Sequence, residues 1–177
     1  PLASATLWGV TALRPLLAAV GAIPVYRKQD SDDPAYVGKN RDMFAACYEA
    51  LAGRAAIVLF PEGESHAYPA LQQLKTGVAR IALGAERRHG PLAVRIIPVG
   101  LNFDARAKFR SRVLISIGKP IDPLADLPPG DMESADAVDA VMAKVDEGIR
   151  SVTINYPSWE EARLISRAAT LYSGRHP

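Results

Sequence analysis

The sequence predicts an α/β fold, a mixed and mostly buried sheet flanked by helices, in a single domain covering residues 1–177. Three observations predict it. Short apolar runs punctuated by proline or glycine, Gly21-Ala22-Ile23-Pro24-Val25, Ala55-Ala56-Ile57-Val58-Leu59-Phe60 and Ile96-Ile97-Pro98-Val99-Gly100, have the length of buried strands. Longer stretches between them carry apolar residues at helical spacing. Polar groups then crowd the end of the middle run, at Pro61-Glu62-Gly63-Glu64-Ser65-His66, and the carboxyl edge of a sheet is where α/β proteins place their chemistry.

Taken in order, Leu2 to Val25 is apolar apart from Thr, Ser and Gly positions and one charge, Arg14. A central arginine costs about 2.5–3.5 kcal/mol on membrane-insertion scales, and Pro15 splits the stretch. It therefore reads as a pair of packed helices to about Val20, not as a membrane span. Strand Ala22 to Tyr26 follows, then a polar loop from Lys28 to Pro34 and a helix from Gly38 to Ala52. Pro61 cannot continue a helical hydrogen-bond ladder, which makes Ile57 to Phe60 a strand. Leu71, Leu74, Val78, Ile81 and Ala82 predict a helix from Leu71 to about Arg87, ending near His89-Gly90. Strands Val94 to Leu101 and Val113 to Ile117 flank a loop, and Pro128-Pro129-Gly130 breaks the chain. Ser134 to Ile149 is amphipathic through Val138, Val141, Met142 and Val145, and Pro157 introduces a last helix, Ser158 to Tyr172. The sequence holds no repeat and no low-complexity tract.

Composition narrows the function. A chain of 177 residues, about half of them apolar, can bury a good core. The formal charge of +2 is too small to argue for nucleic acid as a partner, and Phe109 is the one aromatic residue among the cations of its basic stretch. The single cysteine, Cys47, excludes an internal disulfide and suits a reducing cytosol. It sits in the apolar pattern Met43-Phe44-Ala45-Ala46-Cys47-Tyr48, which gives it a structural role.

Phe60-Pro61-Glu62-Gly63, Gly21 to Arg27 and Ile96 to Gly100, in this chain order, resemble three of the four motif blocks of the glycerolipid acyltransferases, the lysophospholipid acyltransferase superfamily. The resemblance runs from about Ala3 to about Tyr172. Its continuation, Ser65-His66, Pro69 and Leu74-Lys75-Thr76-Gly77-Val78-Ala79-Arg80, is similar to the branch that acylates glycerol 3-phosphate or dihydroxyacetone phosphate. It implies transfer of a fatty acyl group from acyl-CoA or acyl carrier protein to glycerol 3-phosphate, dihydroxyacetone phosphate or 1-acylglycerol 3-phosphate. Such a transfer from a thioester needs no metal or other cofactor. The resemblance further implies peripheral contact with an anionic membrane, at its cytoplasmic face.

The site residues it implies are Arg27, Glu62, Gly63, Ser65, His66 and Lys75. Arg27, ending the second block, would hold the acceptor phosphate, since a planar guanidinium binds phosphate bidentately, with Lys75 or His66 beside it. Glu62 would orient the glycerol hydroxyls. Lys75 and Arg80, on the predicted helix, would point about 140° apart, so Lys75, nearer the motif loop, is the better partner for that phosphate. Many relatives carry Thr-Arg-Ser where Glu64-Ser65-His66 stands, and that departure removes an arginine. The larger departure is the first block, His-x-x-x-x-Asp, whose His is general base toward the acceptor hydroxyl. Leu71 stands five residues beyond His66 and Val94 five beyond His89, so no such pair exists in this sequence. The expectation is an N-terminally incomplete domain without its catalytic pair, inactive by itself.

Two other classes compete. A non-catalytic lipid-binding module fits the same missing pair. A serine hydrolase would use Ser65, because Gly63-Glu64-Ser65-His66-Ala67 nearly matches a nucleophile elbow. Ala67 replaces the second glycine, however, and Pro69 blocks a helix directly after the serine. Arg106, Lys108, Arg110 and Arg112 alternate between the last two strands and read either as a solvated edge or as a surface for anionic head groups, acyl-CoA phosphates or acyl carrier protein.

Overall fold

The computed structural model describes residues 1–4, 7, 9–19, 21–25, 36–64, 66–103, 105, 107–127 and 131–172. The predicted polar loop Lys28 to Pro34, the Pro128-Pro129-Gly130 break, and Arg27, Ser65 and Arg106 lie outside the described residues. Two compact units divide the chain: Pro1–Pro61 with Thr76–Arg95 and Asp122–Val141, and Glu62–Lys75 with Ile96–Ile121 and Met142–Pro177.

In the first unit, β1 (Leu2–Ser4) pairs parallel with β2 (Ile23–Val25), from Leu2 opposite Ile23 to Ser4 opposite Val25. The predicted helix pair is thus replaced by a strand, a short 3-10 turn at Thr11–Leu13 and the six-residue helix α1 (Arg14–Ala19). Pro15 is tolerated there because the first N–H groups of a helix have no intrahelical partner. Among the described residues no helix is long and apolar enough to cross a membrane.

Helix α2 (Tyr36–Ala52) packs on α3 (Gly77–His89). Met43, Cys47 and Ile81 form a buried cluster, with Leu2, Ile23, Phe44, Leu51, Ile57 and Leu59 packed against it. A Cβ on Gly84 would come within 2.4 Å of the Tyr48 hydroxyl, so glycine is what lets that ring lie on α3. The predicted strand Ile57 to Phe60 forms no ladder. One bond, from the Leu2 N–H to the Val58 carbonyl (2.9 Å), ties it to β1. Its side chains still alternate as in a strand, Ile57 and Leu59 toward the cluster, Val58 and Phe60 toward solvent.

Helix α3 ends as predicted at His89-Gly90, where Gly90 takes φ 79° and Arg87, Arg88 and His89 complement the helix dipole. The strand predicted from Val94 does not begin there. The buried Glu86 carboxylate accepts the N–H groups of Leu92 (2.8 Å) and Val94 (2.6 Å), and Ala93 lies at φ 55° between them. A backbone donor used by a carboxylate is lost to a ladder.

The second unit contains β3 (Val99–Phe103) and β4 (Val113–Ile117), antiparallel from Val99 opposite Ile117 to Phe103 opposite Val113, with a bridge between Ile96 and Ile121 beyond. The expected mostly buried mixed sheet is corrected on this point. The described residues form two separate two-stranded ladders, and Val99, Leu101, Phe103, Val113, Ile115 and Ile117 remain exposed on one hairpin face. Two strands provide no interior strand, and burial requires a further layer on each face. The mixed helical and sheet composition itself stands.

Helix α4 (Ala135–Val152) starts where the sequence places it, capped by Ser134, whose Oγ accepts the Ala137 N–H at 3.2 Å. Helix α5 (Trp159–Tyr172) repeats the device with Ser158, which accepts the Glu161 N–H at 3.1 Å, and Glu160 and Glu161 occupy its first turn.

Candidate functional site

The motif loop runs from Glu62 to Lys75 within the second unit. Gly63 sits at φ 75°, a left-handed conformation that favours glycine. A Cβ there would also lie 3.3 Å from Cγ and 3.7 Å from Cε of Lys75, so the lysine stem runs directly over the glycine. The sequence expects Lys75 on a helix with Arg80. The structure starts that helix only at Gly77, because the Leu71 N–H is held by Asn155 Oδ1 (2.6 Å) and the Gln72 N–H by Glu62 Oε1 (2.9 Å). Lys75 is therefore an exposed loop residue, free of the angular constraint that a shared helix would impose.

Glu62 Oε1 also meets His66 Nε2 at 2.9 Å, with both side chains mostly buried. The second ring nitrogen, Nδ1, accepts the Tyr68 N–H at 3.2 Å. In the neutral ring the proton consequently sits on Nε2 and is donated to Glu62. Glu62 thus spends one oxygen on two donors. Among the described residues none bonds Oε2, and the side chain keeps 26% of its surface exposed. A fixed carboxylate with one accessible oxygen is suited to accept a hydroxyl proton donor. His66, with both ring nitrogens engaged, orients that carboxylate.

The loop is fastened at three further points. The Trp159 indole N–H donates to the Ala67 carbonyl (2.8 Å), the Tyr156 N–H to the Pro69 carbonyl (3.0 Å), and Asn155 takes the Leu71 N–H as above. Sequence reasoning brings Glu62, Gly63 and His66 into one loop, and so does the structure, which adds Lys75 to that loop where the sequence predicts a helix. It misses Tyr68, Gln72, Asn155 and Trp159. The last two are more than eighty residues away along the chain, and no local pattern announces such a bond. Arg27 and Ser65 lie outside the described residues. Among the described residues no group of three or more His, Cys, Asp or Glu side chains is arranged to hold a metal.

Between β3 and β4, Lys108, Phe109, Arg110 and Arg112 are exposed, Phe109 almost completely, and Arg110 turns the chain at φ 62°.

A family model described as acyltransferase matches residues 2–102, a span that includes the Phe-Pro-Glu-Gly block and the whole motif loop. The chain belongs to this acyltransferase family, within the glycerolipid superfamily its motif blocks resemble. It is 34% identical over 136 residues, 75% of its length, to glycerol-3-phosphate O-acyltransferase 2 of Saccharomyces cerevisiae. It is 34% identical over 128 residues, 71% of its length, to glycerol-3-phosphate O-acyltransferase 1 of the same yeast. An uncharacterized acyltransferase of Schizosaccharomyces pombe is 31% identical over 128 residues, 69% of the chain. The chain spans 18%, 17% and 18% of these three relatives, respectively. No solved structure matches it.

Proposed function

We propose that the chain takes part in acylating a glycerol phosphate, and that the loop Glu62 to Lys75 receives the acceptor. The observation that carries this reading is the Glu62 carboxylate, fixed through one oxygen by the Gln72 N–H and the His66 ring and, among the described residues, unbonded at the other. The open oxygen accepts a glycerol hydroxyl. Lys75, laid over Gly63, supplies an ammonium at the same loop for the acceptor phosphate. Two similar yeast proteins named as glycerol-3-phosphate O-acyltransferases support this acceptor class.

In the reaction, the acceptor hydroxyl oxygen attacks the thioester carbonyl of acyl-CoA or an acyl carrier protein. The new C–O bond forms, the C–S bond breaks, and the thiolate leaves and takes up a proton. Because the sequence contains no His-x-x-x-x-Asp pair, we assign no general base within it, and its residues act by binding and orientation. Lys108, Arg110 and Phe109 would rest the protein on an anionic bilayer, the cations near head groups and the ring at the interface.

The test is Glu62→Gln in the full-length gene product, followed by thiol release. Replacing a charge-assisted hydrogen bond to the acceptor costs about 1.5–3 kcal/mol, or about 10- to 150-fold in kcat/KM for the acceptor. The KM for acyl-CoA should not move. An unchanged acceptor constant, or equal losses for both substrates, refutes the assignment.

A further inference from the structure

Segment 153–159 lies beyond the residues 2–102 that the family model matches, and it makes a coherent set of contacts with the motif loop. The contacts run in opposite directions along the two segments: Ala67 with Trp159, Pro69 with Tyr156, Leu71 with Asn155. Alternate loop residues are used, as in an antiparallel pair of strands. Two of the three contacts, however, come from side chains.

Those side chains are themselves held. Asn155 Nδ2 donates to the Thr153 carbonyl (3.1 Å) and to Thr153 Oγ1 (3.0 Å), which points Oδ1 at the loop. Thr153 Oγ1 in turn donates to the Ile149 carbonyl in α4 at 2.8 Å. Upstream, Asn102 of β3 grips the same segment from both sides, donating to the Val152 carbonyl (3.2 Å) and accepting the Ile154 N–H (3.0 Å). Trp159 is 52% exposed, so its indole bond is not a by-product of core burial. The chain of support ends on the site: Asn155 fixes the Leu71 amide, the neighbouring Gln72 amide fixes Glu62, and Trp159 fixes Ala67 beside His66.

We propose that Asn155 and Trp159 are positioning residues that hold the Glu62 to Lys75 loop in its acceptor-receiving shape. Thr153 to Trp159 is then a strap belonging to the site. The acceptor part of this statement rests on the function proposed above; the strap itself does not.

The experiment uses the full-length gene product with Trp159→Phe, which keeps an aromatic ring and deletes the N–H, and with Asn155→Ala. Amide hydrogen exchange of residues 66–72 is read without substrate, and the KM values for glycerol 3-phosphate and acyl-CoA are read separately. Trp159→Phe should speed exchange of the loop amides by about fivefold, the ratio set by one hydrogen bond of ordinary net strength. It should raise the acceptor KM by a similar factor, with the donor KM unchanged. Asn155→Ala should do the same most strongly at Leu71 and Gln72. Wild-type exchange in Trp159→Phe overturns the strap even if Asn155→Ala fails to fold. Equal rises in both KM values overturn it as well, since they mark a general loss of structure. Loosened loop amides together with a silent Glu62→Gln variant support the strap and refute the acceptor reading alone.

Discussion

Gly100→Ala is the sharpest test of how the second unit is built. A Cβ at Gly100 would lie 2.0 Å from the Val152 carbonyl oxygen and 2.7 Å from its carbon. Both are backbone atoms, so no side chain can swing aside, and ordinary contact requires the end of α4, with the strap that follows it, to retreat by more than an ångström. Overpacking of this kind costs about 1–3 kcal/mol. The retreat also breaks the two bonds by which Asn102 holds Val152 and Ile154, each worth about 1 kcal/mol. The sum, about 3–5 kcal/mol, corresponds to a fall in Tm of roughly 6–20 °C for a chain of this size. Gly118→Ala is the control. Its nearest neighbours are side-chain carbons of Val152 and Pro98 at 3.1 Å and beyond, which need move only a few tenths of an ångström, so its cost should be well below that of Gly100→Ala. Differential scanning calorimetry on the two variants decides the matter. A Gly100→Ala Tm within a degree or two of wild type, or one equal to that of Gly118→Ala, refutes the close contact and with it the seating of the strap.

Further outcomes follow from the site and the core. Arg27→Ala should raise the acceptor KM far more than the donor KM, and Arg27→Lys should recover only part, because an ammonium lacks the bidentate fork; steady-state kinetics with each substrate varied in turn reads both. Replacing Arg106, Lys108 and Arg110 by Gln should weaken binding to anionic vesicles by about 1 kcal/mol per charge and leave turnover on short-chain acyl-CoA intact, as vesicle sedimentation and thiol release would show. Burial pushes the Cys47 thiol from 9.0 up to about 11. Between those values the folded state holds a proton that the unfolded state has released, so this contribution to stability is present below pH 9 and is lost as pH rises toward 11. Cys47→Ala should flatten that part of a urea-midpoint profile against pH.

Much of the helical structure is legible because its signals are local. Ser134 and Ser158 each cap a helix whose start the sequence marks to within one residue, and Gly90 ends α3 where a left-handed residue is required. Strand Val113–Ile117 is also found where its apolar run predicts. The failures share one cause. Leu71 and Gln72 read as helix and Val94 as strand, yet their N–H groups are taken by Asn155, Glu62 and Glu86, polar side chains that outcompete the regular ladder. Periodicity counts apolar positions and carries no record of those bonds. The same blindness hides half the site: Glu62 and His66 are visible as a motif, while the strap that steadies them is visible only in three dimensions.

The hairpin face formed by Val99, Leu101, Phe103, Val113, Ile115 and Ile117 bears on how the chain behaves in solution. It is an apolar surface rich in β-branched side chains on a ladder that has two strands among the described residues, a pattern that promotes intermolecular pairing and aggregation. Arg110 and Lys119 flank β4 as charged gatekeepers, and their mutual repulsion at low ionic strength opposes stacking of one hairpin on another. Salt removes that repulsion over distances beyond about 10 Å at 0.1 M. Light scattering of the isolated chain should therefore rise as salt is added, the reverse of the ordinary salting-in of a charged protein, and a detergent that covers the face should suppress that rise.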